Sequence, residues 1–127
     1  MHLVMDGYGR NPRLLQDESF LYKLLEELPE EIGMTKICPP MVCRYTGAKA
    51  EDWGLSGFVL IAQSHIAIHT FVEHSYIHID IFSCQPFDNA KITDKLCEML
   101  QLSEMKAQVL KRGLEYVKGR RGNGEAC

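Results

Sequence analysis

Ser64, His65 and His69 fall within six residues of one another, in the string Ile61-Ala-Gln-Ser-His-Ile-Ala-Ile-His-Thr70. Asp80 and Cys84 follow a short distance downstream. These side chains could rework their own backbone. A serine hydroxyl can attack a peptide carbonyl, an imidazole can move a proton, and a thiol can return one. Each residue also has an ordinary reading. A lone serine in a strand is commonly only that, a lone histidine is commonly a hydrogen-bonded structural group, and a lone cysteine is commonly a small buried hydrophobe. The functional reading therefore depends on what brings them together.

The segments around them read as strands. Gly57 to Ala62 is a nearly continuous apolar run, fit for a strand covered on both faces. Ser64 to Phe71 and Tyr76 to Cys84 alternate apolar and polar residues, and Val72-Glu-His-Ser75 suits the tight turn of an antiparallel pair. Ile66 and Ile68 share one face, as do Ile77, Ile79 and Ile81. The other face carries His65, His69, His78, Asp80 and Cys84, so it calls for a partner surface or a site. Strict alternation puts Ser64 on the isoleucine side. A bend near residues 63 to 65 is required if Ser64 is to meet His69.

Elsewhere, Leu3 to Met5 reads as a first strand ending at Gly7-Tyr-Gly9. Asp17 caps a helix whose Leu21, Leu24, Leu25, Leu28 and Ile32 form one stripe, with Pro29 as a kink or early stop and Gly33 as the end. Thr35 to Cys38 is strand-like, and residues 44 to 54 read as a loop. Asn89 or Asp88 caps a second helix with Ile92, Leu96, Met99 and Leu100 inward, and Ala107 to Leu110 forms a last strand. This order predicts an α+β two-layer sandwich, with an antiparallel sheet and helices on one of its faces. One domain is expected over residues 1–117, followed by a basic, Gly-rich tail at 118–127.

Composition excludes several classes. A net charge of -3 offers no basic footprint for nucleic acid. The apolar runs are too short to span a bilayer, and the strand-like start shows no secretion signal. The odd set of five cysteines suits reduced thiols in a cytoplasm. Cys38 and Cys43 form one Cys-x4-Cys pair with no matching second pair, so no metal site is expected.

Taken in order, several segments resemble the small prokaryotic S-adenosylmethionine decarboxylases, self-processing pyruvoyl enzymes of polyamine (spermidine) biosynthesis. The matching residues are His2-Leu3 with Asp6, Gly54-Leu55-Ser56-Gly57, Gln63-Ser64-His65-x-x-x-His69-Thr70-Phe71-Val72-Glu73, Asp80-x-Phe82-x-Cys84 and Arg112-Gly113. The resemblance implies a cleavage site between Gln63 and Ser64. The Ser64 hydroxyl would turn the amide into an ester, β-elimination would split the chain, and the dehydroalanine left on residue 64 would tautomerise, lose ammonia and become a pyruvoyl cofactor. Ser56 and His69 would assist, His69 as the base that takes the Cα proton. The ketone would form a Schiff base with the substrate amine and draw electrons as carbon dioxide leaves. Cys84 would be the acid that protonates the substrate carbon, and Glu73 would accept from ribose hydroxyls. Phe71 stands where the family has a tryptophan and would offer a flat face to the substrate. The resemblance also implies a homodimer joined through the sheet face free of helices, with sites at or near that interface.

Four departures from the family pattern shape the alternatives. Gln63 replaces a glutamate, Ala50 an aromatic residue, Asp52 a proline, and Phe71-Val72 a Trp-Pro pair. Gln63 removes a charge but leaves the backbone carbonyl that the cleavage needs. Trp53 could restore the lost ring. The first reading is an S-adenosylmethionine decarboxylase. The second is a pyruvoyl decarboxylase of another amino acid such as arginine or ornithine. The third is an unprocessed, non-catalytic relative that binds a ligand or partner.

Overall fold

A computed structural model describes residues 1–62 and 64–112. Its elements are β1 (His2–Gly9), α1 (Pro12–Leu15), α2 (Glu18–Glu31), β2 (Met41–Thr46), β3 (Trp53–Ile61), β4 (Ser64–Phe71), β5 (Tyr76–Phe82), α3 (Asn89–Met99) and β6 (Leu102–Leu110). The strands form one sheet in the order β2-β3-β4-β5-β1-β6, with every neighbouring pair antiparallel. Helices α2 and α3 pack on a single face, which makes the expected two-layer α+β sandwich. Gln63, the domain end at 117 and the tail at 118–127 lie outside the described residues.

Local chemistry explains the helices. The Asp17 carboxylate accepts from Phe20 N at 3.0 Å, and Asp88 does the same for Lys91 N, so each satisfies an orphan donor of its first turn. The α2 stripe Leu21, Leu24, Leu25 and Leu28 is buried, as are Ile92 and Leu96 of α3. They meet Ile66, Ile68, Ile77, Ile79 and Ile81, each at most 1% exposed. Burying one such side chain contributes about 2 kcal/mol. Pro29 neither stops nor shortens the helix, which runs on to Glu31. Gly33 takes φ +73°, the left-handed conformation that closes a helix at least cost with glycine.

Three segments differ from the sequence reading, and one of them is β6, which begins at Leu102 rather than at Ala107. Residues 44 to 54 are not a loop throughout. Arg44-Tyr45-Thr46 ends strand β2, and Trp53-Gly54 begins β3. Strand β2 is an edge strand exposed along most of its length, so its side chains carry no apolar alternation to read. Thr35 to Cys38 supplies one bridge, Lys36 to Ile61, rather than a strand. Pro39-Pro40 has no N–H groups with which to extend it. In addition, α1 forms where none was expected, with Pro12 in its first turn and Asn11 accepting from Arg13 N.

One close approach locks β3 to β4. A Cβ on Gly54 would sit 1.7 Å from the Thr70 carbonyl oxygen, so only glycine fits. The buried Thr70 hydroxyl then stands in for a missing ladder bond. It accepts from Leu55 N at 2.9 Å and donates to Leu15 O at 2.7 Å, which pins α1 to the sheet end.

Candidate functional site

Ser64 opens β4 and stays on the isoleucine side, 8% exposed. Its hydroxyl oxygen accepts from Cys84 N at 3.1 Å. The antiparallel register causes this contact. His65 pairs with Phe82, so the residue before His65 faces the chain just after Phe82. An open pocket lies over Ser64, walled by Ile37, Leu60, His65, Phe82 and Arg112. The Arg112 guanidinium stacks 4.3 Å above the Phe82 ring and donates to His2 Nδ1 at 3.1 Å. His2 Nε2–H in turn donates to Asp80 Oδ1 at 3.2 Å. Both bonds require the neutral imidazole with its proton on Nε2. Asp80 is thus a structural partner of His2.

His69 belongs to a second cluster. It faces Ser56 across the β3–β4 ladder, and Ser56 faces Cys43 across β2–β3. Ser56 Oγ and His69 Nδ1 are 2.9 Å apart. If Nδ1 carries the proton and donates to Ser56, Nε2 is left bare, as a base requires. A pocket surrounds this pair, bounded by Met41, Cys43, Phe58 and Ala67. The same row continues across the sheet through His78 and Asp6, where His78 Nδ1 donates to Asp6 at 2.6 Å.

Beyond the end of β4, Glu73 lies in a short 3-10 turn, Val72–His74, and Glu73 Oε1 accepts from Trp53 Nε1 at 2.9 Å. Arg44 stacks on the Trp53 ring, its guanidinium 4.3 Å from the ring centre. Phe71 is 39% exposed on the helix-free face and packs edge-on to His78.

The structure therefore brings Ser64 to Cys84, and Ser56 to His69, but keeps the two pairs apart. Ser64 and His69 are on opposite faces of one strand. Five residues at about 3.3 Å each separate them by roughly 16 Å. The bend that would unite them within one chain is absent among the described residues. The residues not singled out from the sequence are Arg112 at the Ser64 pocket and Arg44 beside Glu73. Neither sits in a periodic pattern, although Arg112 belongs to the Arg-Gly pair noted above, and Trp53 is the one tryptophan of the chain. Cys38, Cys43 and Cys97 are free thiols, whereas Cys84 is disulfide-bonded in this structure. Burial pushes the Cys97 thiol up from its usual range, which makes it less reactive. Among the described residues no three His, Cys, Asp or Glu side chains converge as metal ligands, and no helix is long and apolar enough to cross a membrane.

A family model described as S-adenosylmethionine decarboxylase matches residues 1–113. An S-adenosylmethionine decarboxylase proenzyme of Clostridium botulinum (strain Loch Maree / Type A3) is 35% identical over 113 residues, covering 88% of this chain and 92% of the relative. A protein of the same name from Hydrogenobaculum sp. (strain Y04AAS1) is 31% identical over 115 residues, covering 90% of this chain and 81% of that one. In three dimensions, the crystal structure of the adenosylmethionine decarboxylase from Aquifex aeolicus superposes with a TM-score of 0.68 at 24% identity. That match covers 87% of this chain and 92% of the other, and it supports the fold.

Proposed function

This chain belongs to the S-adenosylmethionine decarboxylase family, and from that premise we propose that it is a pyruvoyl-dependent carboxy-lyase that decarboxylates S-adenosylmethionine for polyamine synthesis. The observation that carries this reading is the Ser64 hydroxyl, held by Cys84 N at the mouth of a pocket.

The residues at position 64 suit a cofactor made from the chain itself. The Cys84 N–H occupies one lone pair of Ser64 Oγ and orients the hydroxyl, leaving it a second lone pair for attack. Oγ adds to the carbonyl carbon of residue 63, the amide C–N bond breaks, and an ester remains. Loss of the Ser64 Cα proton then expels the carboxylate of residue 63 and parts the chain, and the dehydroalanine left at position 64 tautomerises to an imine that water hydrolyses with release of ammonia. The pyruvoyl group so made supplies the electron sink for loss of carbon dioxide. Cys84, whose backbone N–H is hydrogen-bonded to position 64, would protonate the substrate carbon, a role that requires its free thiol. A cytoplasm would keep it reduced.

His69 and Ser56 cannot reach that Ser64 within one chain, so we assign them to the Ser64 of a second copy. The helix-free face supports this arrangement. Leu60 borders the Ser64 pocket, Phe58 borders the His69 pocket, and both are about two-fifths exposed on the same strand, at 40% and 41%. The Ser64 pocket opens at the strand end past Leu60, His65 and Phe82 of the helix-free face, so a two-fold dimer joined there would seat one pocket of each copy on the other pocket of its partner. Glu73 would take the ribose hydroxyls, with Trp53 holding the carboxylate. Phe71 and Trp53 would offer flat faces to the adenine, which supports the adenosyl substrate despite the changes at Ala50 and Asp52.

Intact-mass measurement tests the reading. The protein should resolve into fragments 1–63 and 64–127, and Ser64→Ala should stay whole. The cleaved protein, kept under reductant, should release labelled carbon dioxide from S-adenosylmethionine and not from arginine or ornithine. A wild-type chain that never splits would remove the cofactor and the proposal with it.

A further inference from the structure

The Ser64 pocket is largely apolar, and a single fixed cation stands at its wall. Arg112 is held in place twice, by its stack on Phe82 and by its bond to His2. Asp80 balances its charge at a distance, through the neutral His2 ring, rather than by direct contact. Among the described residues, His2 is the one side chain that accepts from this guanidinium. One of its five N–H donors is used there, so the planar fork retains donors for a carboxylate. We infer that Arg112 binds the α-carboxylate of the substrate and so selects α-amino acid derivatives over plain amines at position 64.

This inference rests on the S-adenosylmethionine decarboxylase reading above and adds the group that recognises the acid to be lost. S-Adenosylmethionine carries a sulfonium and an ammonium, both of which a guanidinium repels. Its carboxylate is the group that an arginine attracts, in bidentate geometry. The contact belongs to the ground state. As carbon dioxide leaves, the carboxylate loses its charge, so the attraction weakens towards the transition state. Removal of Arg112 therefore raises KM and does not lower kcat. A purely structural role for Arg112, as a brace for Phe82 and His2, would weaken all ligands alike.

The test uses the full chain carrying Ser64→Ala, which cannot cleave, so that binding is read apart from catalysis. Calorimetry compares S-adenosylmethionine with its decarboxylated form, in chains with Arg112, Arg112→Ala or Arg112→Lys. Arg112→Ala should weaken S-adenosylmethionine by about tenfold and change the decarboxylated ligand by less than about twofold, with Arg112→Lys in between. In the Ser64 background, Arg112→Ala should still cleave, raise KM by about tenfold and hold kcat within about threefold. Equal weakening of both ligands, or of neither, overturns the inference, and so does loss of self-cleavage in Arg112→Ala. A wild-type chain that stays whole while the two ligands are still told apart by Arg112 would sink the decarboxylase reading alone.

Discussion

Two inactive variants should rescue each other. Ser64→Ala lacks the nucleophile, and His69→Ala lacks the base. If both residues served one site within one chain, no pairing of these variants would contain an intact set. The strand geometry argues otherwise, because five extended residues hold the two side chains roughly 16 Å apart and on opposite faces. A site that joins Ser64 and Cys84 of one copy to Ser56 and His69 of the other changes the count. In a mixed dimer, one site collects both defects and the other collects neither. With equal expression and random pairing, half of the dimers are mixed, so about a quarter of all sites are intact. Co-expression of the two variants should therefore cleave about a quarter of the chains and restore about a quarter of wild-type carbon dioxide release. Mass spectrometry adds a sharper readout, because every cleaved chain should carry the His69→Ala mass and none the Ser64→Ala mass. Differently tagged chains, purified as mixed dimers, should raise the yield to about half. Activity that stays at the background of the single variants would refute the two-copy site.

Further outcomes follow from the packing and the charges. Thr70→Val keeps the shape but strands the Leu55 N–H and the Leu15 carbonyl in a site where Thr70 is 4% exposed. At about 1–3 kcal/mol for each unpaired group, urea unfolding should show a loss of about 2–5 kcal/mol. Gly54→Ala drives a methyl into the Thr70 carbonyl, and should cost about 3 kcal/mol or more by the same assay, the upper end of overpacking. Cys84→Ala should still split the chain, since the Cys84 contact with Ser64 runs through its backbone, yet lose carbon dioxide release. At the helix surface, the Lys95 ammonium beside Glu31 holds that carboxyl below its ordinary value of 4.5. A depressed folded-state pKa adds stability above the ordinary value and loses it as pH falls through the depressed one. The small gap between wild type and Glu31→Gln in urea midpoint should therefore be present at neutral pH and close in acid.

Much of the architecture was readable along the chain, because local chemistry sets it. The leucine stripe of α2, the caps at Asp17 and Asp88, and the isoleucine alternation in β4 and β5 each report a periodicity that a single segment carries alone. The edge strand β2 escaped because only Val42 packs against the core and its other residues are exposed, so no apolar rhythm marks it. The arginines that flank the site residues escaped for a related reason. Arg44 reaches Trp53 and Arg112 reaches His2 through side chains whose partners are set by folding and not by spacing.

Residue types alone therefore told which groups could react: a hydroxyl at 64, an imidazole at 69, a thiol at 84. Which of them meet was decided by the sheet. Neighbours five apart on an extended strand are carried away from each other, while Cys84, twenty positions on, is folded back against Ser64 by the pairing of His65 with Phe82. Distance in an extended chain grows with each residue, and only the long-range register of paired strands can reverse it.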